Sequence, residues 1–321
     1  MTMRELALLA NVSVSAVSKA FSDAEDIGAD TKNHIFNVAK EYGCYNKFFK
    51  GKYPKPIIAV IAPEINSVHY STCIEVLQRI IEQSGAIMQV SSYEFDKERQ
   101  NELIDYYSNY LKVDGIIVFS MGASDIKEFE TPIVSLFSSQ NENVEAVGLD
   151  LRPAFKNAIK LLKELDHKNI AFASEGLTRG KEKMFCEYYI PKNEKDYIFV
   201  SDKRFEQAGT DCAERILASP IPFTAIICAY DDIAVGVIRY LTEKGYNVPK
   251  DFSVIGIDNI SVSRYLENSL TTLDPRYEEL CSAAWSLLQK KMKNRYYKTK
   301  EPISFTAELV VRDSVAKAKS K

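Results

Sequence analysis

Histidine is scarce in this 321-residue chain, with only His34, His69 and His167, and the six cysteines (Cys44, Cys73, Cys186, Cys212, Cys228 and Cys281) never form a C-x-x-C pair. That dispersal argues against a zinc site and against a disulfide framework, and single thiols in a reducing compartment are the simpler reading. No apolar run approaches the roughly 18 residues of a membrane span, and no basic stretch followed by an apolar one opens the chain, so no membrane partner and a cytoplasmic location are expected. Phosphate loops and nucleophile elbows are missing as well: there is no G-x-G-x-x-G, no G-x-x-x-x-G-K-[ST] and no G-x-S-x-G. With no evident partner for any histidine, the chain is expected to be no enzyme and to carry no cofactor or metal.

A strong excess of basic charge is absent too. Residues 1–52 hold seven basic and six acidic side chains, a balance of +1, so this segment is no basic arm that binds phosphate by bulk attraction. Lys47, Lys50 and Lys52 nevertheless cluster near its end, while the acids gather mostly from Asp23 to Asp30.

What is present begins at residue 1. In MTMRELALLANVSVSAVSKAFS, Met3, Leu6, Ala7 and Ala10 recur at i, i+3, i+4 and i+7, the stripe of a short helix. Asn11 tolerates the left-handed backbone of a tight turn, and Ser13 can cap a second helix. That helix buries Val17 with Ala20 or Phe21 and leaves Val14, Ser15, Ser18, Lys19 and Ser22 on its other face, short enough to reach base edges or phosphates. A third stripe, Ile35, Val38, Ala39 and Tyr42, is closed by Gly43. The pattern fits a three-helix helix-turn-helix unit over 1–49. The same spacing suits a helical hairpin whose small residues merely pack. Such a unit binds weakly alone, which implies a dimer presenting two copies to two half-sites.

Residues 50–56, KGKYPKP, have the composition of an extended linker. Beyond them strands and helices alternate. The apolar run IIAVIA at 57–62 reads as a strand buried on both faces, and short strands follow at 86–90, 115–119, 132–136 and 144–149. A second series supplies strands at 170–173, 197–200, 225–228 and 253–257, separated by helices. The fold class is therefore α/β: two lobes, each a doubly wound parallel sheet, with a cleft outside the carboxyl ends of the strands. Polar groups at those ends include Glu64, Asn66, His69, Tyr70, Ser91, Ser92, Asp150, Tyr230, Asp231, Asp258 and Asn259. Such hydroxyls, carboxylates and rings suit a sugar or nucleoside-like ligand. Asp231 and Asp258 equally suit a helix cap and a turn.

Over Thr2–Ser314 the chain resembles the LacI/GalR-type transcriptional regulators. The likeness is plainest in NVSVSAVSKAFS (11–22), FTAIICAYDDIAVGVIRYLTEKGYNVPKDFSVIGIDN (223–259), SLTTLDP (269–275) and ELVVRDS (308–314). It implies a periplasmic-binding-protein-like body, whose first lobe takes 57–149 and 274–296 and whose second takes 150–273 and 297–313, followed by a basic tail at 314–321. The implied partners are double-stranded operator DNA, a small-molecule effector (a sugar or related metabolite) and a second copy of the chain. The implied activity is that of a repressor, with a solute-binding protein or sensor of the same two-lobed fold as the alternative.

By the same resemblance, Val14 and Ser15 occupy base-reading positions, and Ser13, Ser18, Ser22 and Thr31 occupy phosphate-side positions. Lys19 stands where the family has arginine and so loses bidentate geometry toward guanine. Ala16 replaces a threonine. The hinge departs further, because YNKFFKGKY at 45–53 lacks the family's arginine and leucine wedge, leaving Tyr53 or Phe49 as the candidate apolar insert. In the cleft, the likeness points to Asp258, His69, Tyr70 and Asp150. Lys181, with Arg179 nearby, stands for the family's arginine, Phe205 for its stacking ring with a one-residue slip against Arg204, and Tyr230 for a frequent asparagine. Dimer contacts are expected from the Ile74–Ile81 segment and the helix carrying Leu280–Leu288; without a C-terminal leucine heptad, a dimer is expected rather than a tetramer.

Overall fold

The computed structural model describes residues 1–22, 24, 26–48, 55–122, 129, 131–189 and 193–319, with backbone only for Asn46, Lys47, Arg179 and Glu194. The chain divides into two units, Met1–Pro56 and Ile57–Lys321.

In the first unit, capping and apolar spacing set the helices. Thr2 and Glu5 form a reciprocal capping box at the start of α1 (Met3–Leu9). Asn11 takes a left-handed φ of 51°, and Ser13 Oγ accepts the Ala16 N–H at 3.0 Å to start α2 (Val14–Phe21). Helix α3 (Ala29–Glu41) ends before Gly43, whose φ is +64°. Leu6, Val17, Ala20, Phe21, Ile35 and Ala39 form the core, whereas Tyr42, expected in the third stripe, is exposed.

The three expected helices are present, and a short fourth follows them. Tyr45–Phe48 forms α4, and its rings pack on the core: Phe48 lies 5.6 Å from Phe21 and Tyr45 5.2 Å from Phe36, centroid to centroid. Residues read as the start of a degenerate hinge therefore close the apolar cluster, because two aromatic rings lose more by facing water than a linker gains by containing them. Phe49 and Tyr53, the proposed apolar inserts, lie outside the described residues.

In the second unit, strands without polar alternation are buried between helices on both faces. In chain order, the first series comprises β1 (Ile57–Ala62), α5 (Val68–Gln83), β2 (Ile87–Ser92), α6 (Lys97–Asp105), β3 (Gly115–Met121), β4 (Ile133–Ser139) and β5 (Ala146–Asp150). The second comprises α7 (Arg152–Glu164), β6 (Ile170–Glu175), α8 (Arg179–Tyr188), β7 (Ile198–Ser201), α9 (Phe205–Leu217), β8 (Ala225–Cys228), α10 (Asp231–Glu243), β9 (Ser253–Ile257) and β10 (Thr271–Asp274). Helix α11 (Tyr277–Lys293) and strands β11 (Ile303–Thr306) and β12 (Glu308–Val310) complete the body.

Two six-stranded sheets result, ordered β11-β5-β4-β3-β1-β2 and β12-β10-β9-β8-β6-β7. Every pairing is parallel except β10 with β12, so the second sheet carries an antiparallel edge. Helix α11 returns to the first sheet, where Leu280, Leu287 and Leu288 join Leu77 and Ile81 in its core. The second core is built around Phe155, Phe172 and Phe185, each fully buried and each worth about 1.5–3 kcal/mol.

The expectation that 297–313 lies wholly in the second lobe fails at β11, which pairs with β5 and belongs to the first sheet. The chain changes sheets between β11 and β12, where the Ala307 N–H donates to Asp150 O at 3.1 Å. The stretch from Ser314 is likewise no free tail. Ser314 Oγ donates to Val254 O at 2.6 Å and the Ala318 N–H to Leu165 O at 2.8 Å, fastening this stretch to the second lobe.

Candidate functional site

On α2, the core residues Val17, Ala20 and Phe21 occupy one side, so Val14, Ser15, Ser18 and Ser22 are left exposed on the other. Ser13 is exposed while its hydroxyl oxygen caps the helix, and Thr31 is exposed in the first turn of α3. Lys19 differs from this group: it is half-buried and its ammonium forms a short ion pair with Asp26. That hydrogen bond holds the Asp26 carboxyl below the ordinary carboxylate range. The Lys19 charge is thus partly answered within the unit.

Between the lobes lies a cavity of about 380 Å³. His69, Tyr70, Lys181, Tyr230 and Asp258 line it, as do Glu64, Phe95, Phe137, Glu175 and Arg204. Asp150 and Phe205 do not. Asp150 sits at the end of β5 and accepts the Arg152 N–H at 3.0 Å, capping α7. The Phe205 ring is held under the Arg204 guanidinium at 4.6 Å, and its backbone N–H donates to the Tyr230 hydroxyl at 3.2 Å. Two other rings, Phe95 and Phe137, supply aromatic wall in its stead.

The charged groups are already engaged. Arg204 Nε donates to Glu175 at 2.9 Å, while Nη2 and Nη1 donate to Glu64 at 2.8 and 3.1 Å across the cleft. Against the cost of burial, the two carboxylates push the guanidinium pKa further upward. Deeper in the cleft, the Tyr277 hydroxyl donates to Asp258 Oδ1 at 3.1 Å, and His69 Nδ1 lies 3.3 Å from the same oxygen and 2.5 Å from the Tyr277 hydroxyl oxygen. Burial works against ionisation of Asp258, yet Lys181, His69 and Tyr277 hold its carboxyl below the usual range. Lys181 Nζ donates to Ala229 O at 2.6 Å.

Asp231 is the first residue of α10 and does not cap it, contrary to the helix-cap option, because its side chain is drawn to the loop after β9. Its carboxylate accepts from the Ile260 N–H, the Ser263 hydroxyl and the Thr272 hydroxyl, and burial pushes its pKa up to about 7. It organises the loop after β9 and does not line the cavity. Backbone strain gathers here too: Phe95, Ser120, Phe137 and Asp258, all lining the cavity, have φ of 60°, 54°, 76° and 109°. Non-glycine residues adopt that region only where surrounding structure enforces it.

Among the described residues, no group of three or more His, Cys, Asp or Glu is placed to hold a metal, and no helix is long and apolar enough to cross a membrane. Arg204, Glu175 and Tyr277 were not singled out as site residues from the sequence. The local signal is an acid at or just beyond the carboxyl end of a buried apolar strand, as at Glu175 and Glu64.

Residues 159–315 match the model of a periplasmic binding protein-like domain. The HTH-type transcriptional repressor CytR of Escherichia coli K12 is 26% identical over 336 aligned positions, covering 98% of this chain and 96% of that one. Among solved structures, a LacI family transcriptional regulator from Enterococcus faecium with bound ribose superposes with a TM-score of 0.70 at 23% identity, over 82% of this chain and all of that one. The lac repressor dimer bound to operator and the anti-inducer ONPF gives 0.71 at 20% identity, over 98% of this chain and 99% of that one.

Proposed function

We propose that the chain is a LacI-type transcriptional regulator, a sequence-specific DNA-binding repressor whose operator affinity is set by a sugar or sugar-related ligand held between its two lobes. The observation that carries this reading is the pairing, in one chain, of a capped α2 with an exposed small-residue face and a polar, aromatic-walled cavity bridging two sheets. Val14 and Ser15 read base edges in the major groove. Ser13, Ser18, Ser22 and Thr31 contact phosphates, and Lys19 does so after exchanging Asp26 for DNA.

In the cleft, Asp258, His69 and Lys181 offer donors and acceptors to hydroxyls, and the rings of Tyr70 and Phe137 face the apolar side of a sugar. Ribose in the Enterococcus faecium regulator supports this ligand class. Ligand binding shifts the closure of the lobes and, through it, the spacing of two DNA-binding units in a dimer, an arrangement supported by the lac repressor dimer on its operator. The body contributes to that dimer through the α5 and β2 side of the first lobe, a reading supported by the exposure of Ile87 and Val90 on the edge strand. The leucines of α11 serve the internal core instead. A cytoplasmic location follows from a chromosomal target.

The test is selection of DNA from a random pool by the purified full-length chain, repeated with Val14→Ala and Ser15→Ala. A palindromic site that weakens in the variants is expected. A folded protein that enriches no sequence, with and without a sugar panel present, would overturn the reading.

A further inference from the structure

We propose that the effector carries no anionic group: it is a neutral or amine-bearing sugar or related polyhydroxylated compound, and phosphorylated and acidic sugars are excluded. This rests on the reading of the cavity as an effector site and narrows that reading by charge. Glu64, Glu175 and Asp258 face the cavity as carboxylates, against two cations, Arg204 and Lys181. These five side chains sum to −1.

The charge of the two cations is also partly answered already. Every nitrogen of Arg204 already donates to a carboxylate, and Lys181 donates to a backbone carbonyl while facing Asp258. A phosphate entering here sheds its hydration and, among the described side chains, gains no cation that is not already engaged, and it approaches carboxylates that are themselves buried.

A hydroxyl or ammonium group meets the opposite situation. Asp258 Oδ1 is taken by Tyr277 and approached by His69, whereas Oδ2 accepts no hydrogen bond among the described residues. Glu175 and Asp258 are 1% and 4% exposed, so a donor reaching them works in a low dielectric, where a charge-assisted hydrogen bond is strong. The cavity therefore selects donors over anions.

Thermal shift of the full-length chain against matched sets tests this: ribose with ribose 5-phosphate, and glucose with glucosamine, glucose 6-phosphate and glucuronate. Stabilisation by a neutral or amine-bearing member is expected, with the phosphate or acid of the same skeleton needing at least ~100-fold higher concentration. A phosphorylated or acidic member that binds as tightly as its parent would overturn the inference and leave the effector-site reading standing. No stabilisation by any member would contradict the sugar reading itself. In Glu64→Gln, which frees part of Arg204, discrimination against the phosphate is expected to narrow about tenfold. An unchanged ratio in a folded Glu64→Gln protein, judged by near-UV circular dichroism, would contradict the charge argument.

Discussion

Arg204 of the second lobe and Glu64 of the first meet across the cleft in a two-point ion pair, at 2.8 and 3.1 Å, while Arg204 Nε holds Glu175 of its own lobe. The three side chains unite the lobes at the mouth of the cavity. Their roles in stability are unequal, because Glu175 is 1% exposed and Arg204 is 36% exposed on its side chain.

Arg204→Gln strands Glu175 as an uncompensated buried carboxylate and is expected to cost about 3 kcal/mol. Glu64→Gln leaves Arg204 with Glu175 and removes only the cross-lobe half, at about 1 kcal/mol. Urea denaturation of the two variants checks the order. Equal losses would show that Glu175 does not depend on Arg204.

Lys19 is expected to be restrained by Asp26. Asp26→Asn removes the internal partner and is expected to strengthen binding to any duplex and steepen the salt dependence by about one counterion. Lys19→Gln acts in the opposite direction. Titration of one duplex at several salt concentrations measures both.

Much of the fold was legible in the sequence because its determinants are local. Ser13 caps α2 three residues from its donor, Val17 and Ala20 bury one face, and IIAVIA is apolar on both faces of β1. The cleft was only partly legible, since its geometry depends on pairings such as Glu64 with Arg204, 140 residues apart. Asp150 and Phe205 stand beside the right strand ends, yet a helix cap claims the first and the Arg204 and Tyr230 side chains claim the second. Nor does a four-residue strand such as β11 announce which sheet it will join, because register along an edge is set by the neighbour it meets.

The crossing of α9 and α10 depends on absent side chains. A Cβ on Gly236 would lie 2.0 Å from Glu206 O, and one on Gly209 2.1 Å from Ile233 O. Both obstacles are backbone and cannot turn aside. Gly236→Ala is therefore expected to cost at least ~3 kcal/mol in chemical denaturation, despite alanine's better helix propensity.

Asp232, buried in the first turn of α10, has its carboxyl pushed up to about 7 by burial and by the nearby Glu206 and Asp258 carboxylates. Unfolded, it ionises near the ordinary value of 3.8, so between those values the folded state binds more protons and stability falls as pH rises. Asp232→Asn escapes that loss. Its stability relative to the native chain is expected to grow by about 1–3 kcal/mol from pH 5 to pH 8, measured by urea denaturation at each pH.

The coupling of cleft to DNA is tested most directly by operator affinity in the presence of the sugar that most raises the melting temperature. With the selected palindrome, a change of at least ~5-fold in Kd between no ligand and saturation is expected, and the same ligand should leave an Asp258→Ala protein's affinity unchanged. An identical Kd at saturating ligand in the native chain would contradict a ligand-controlled repressor.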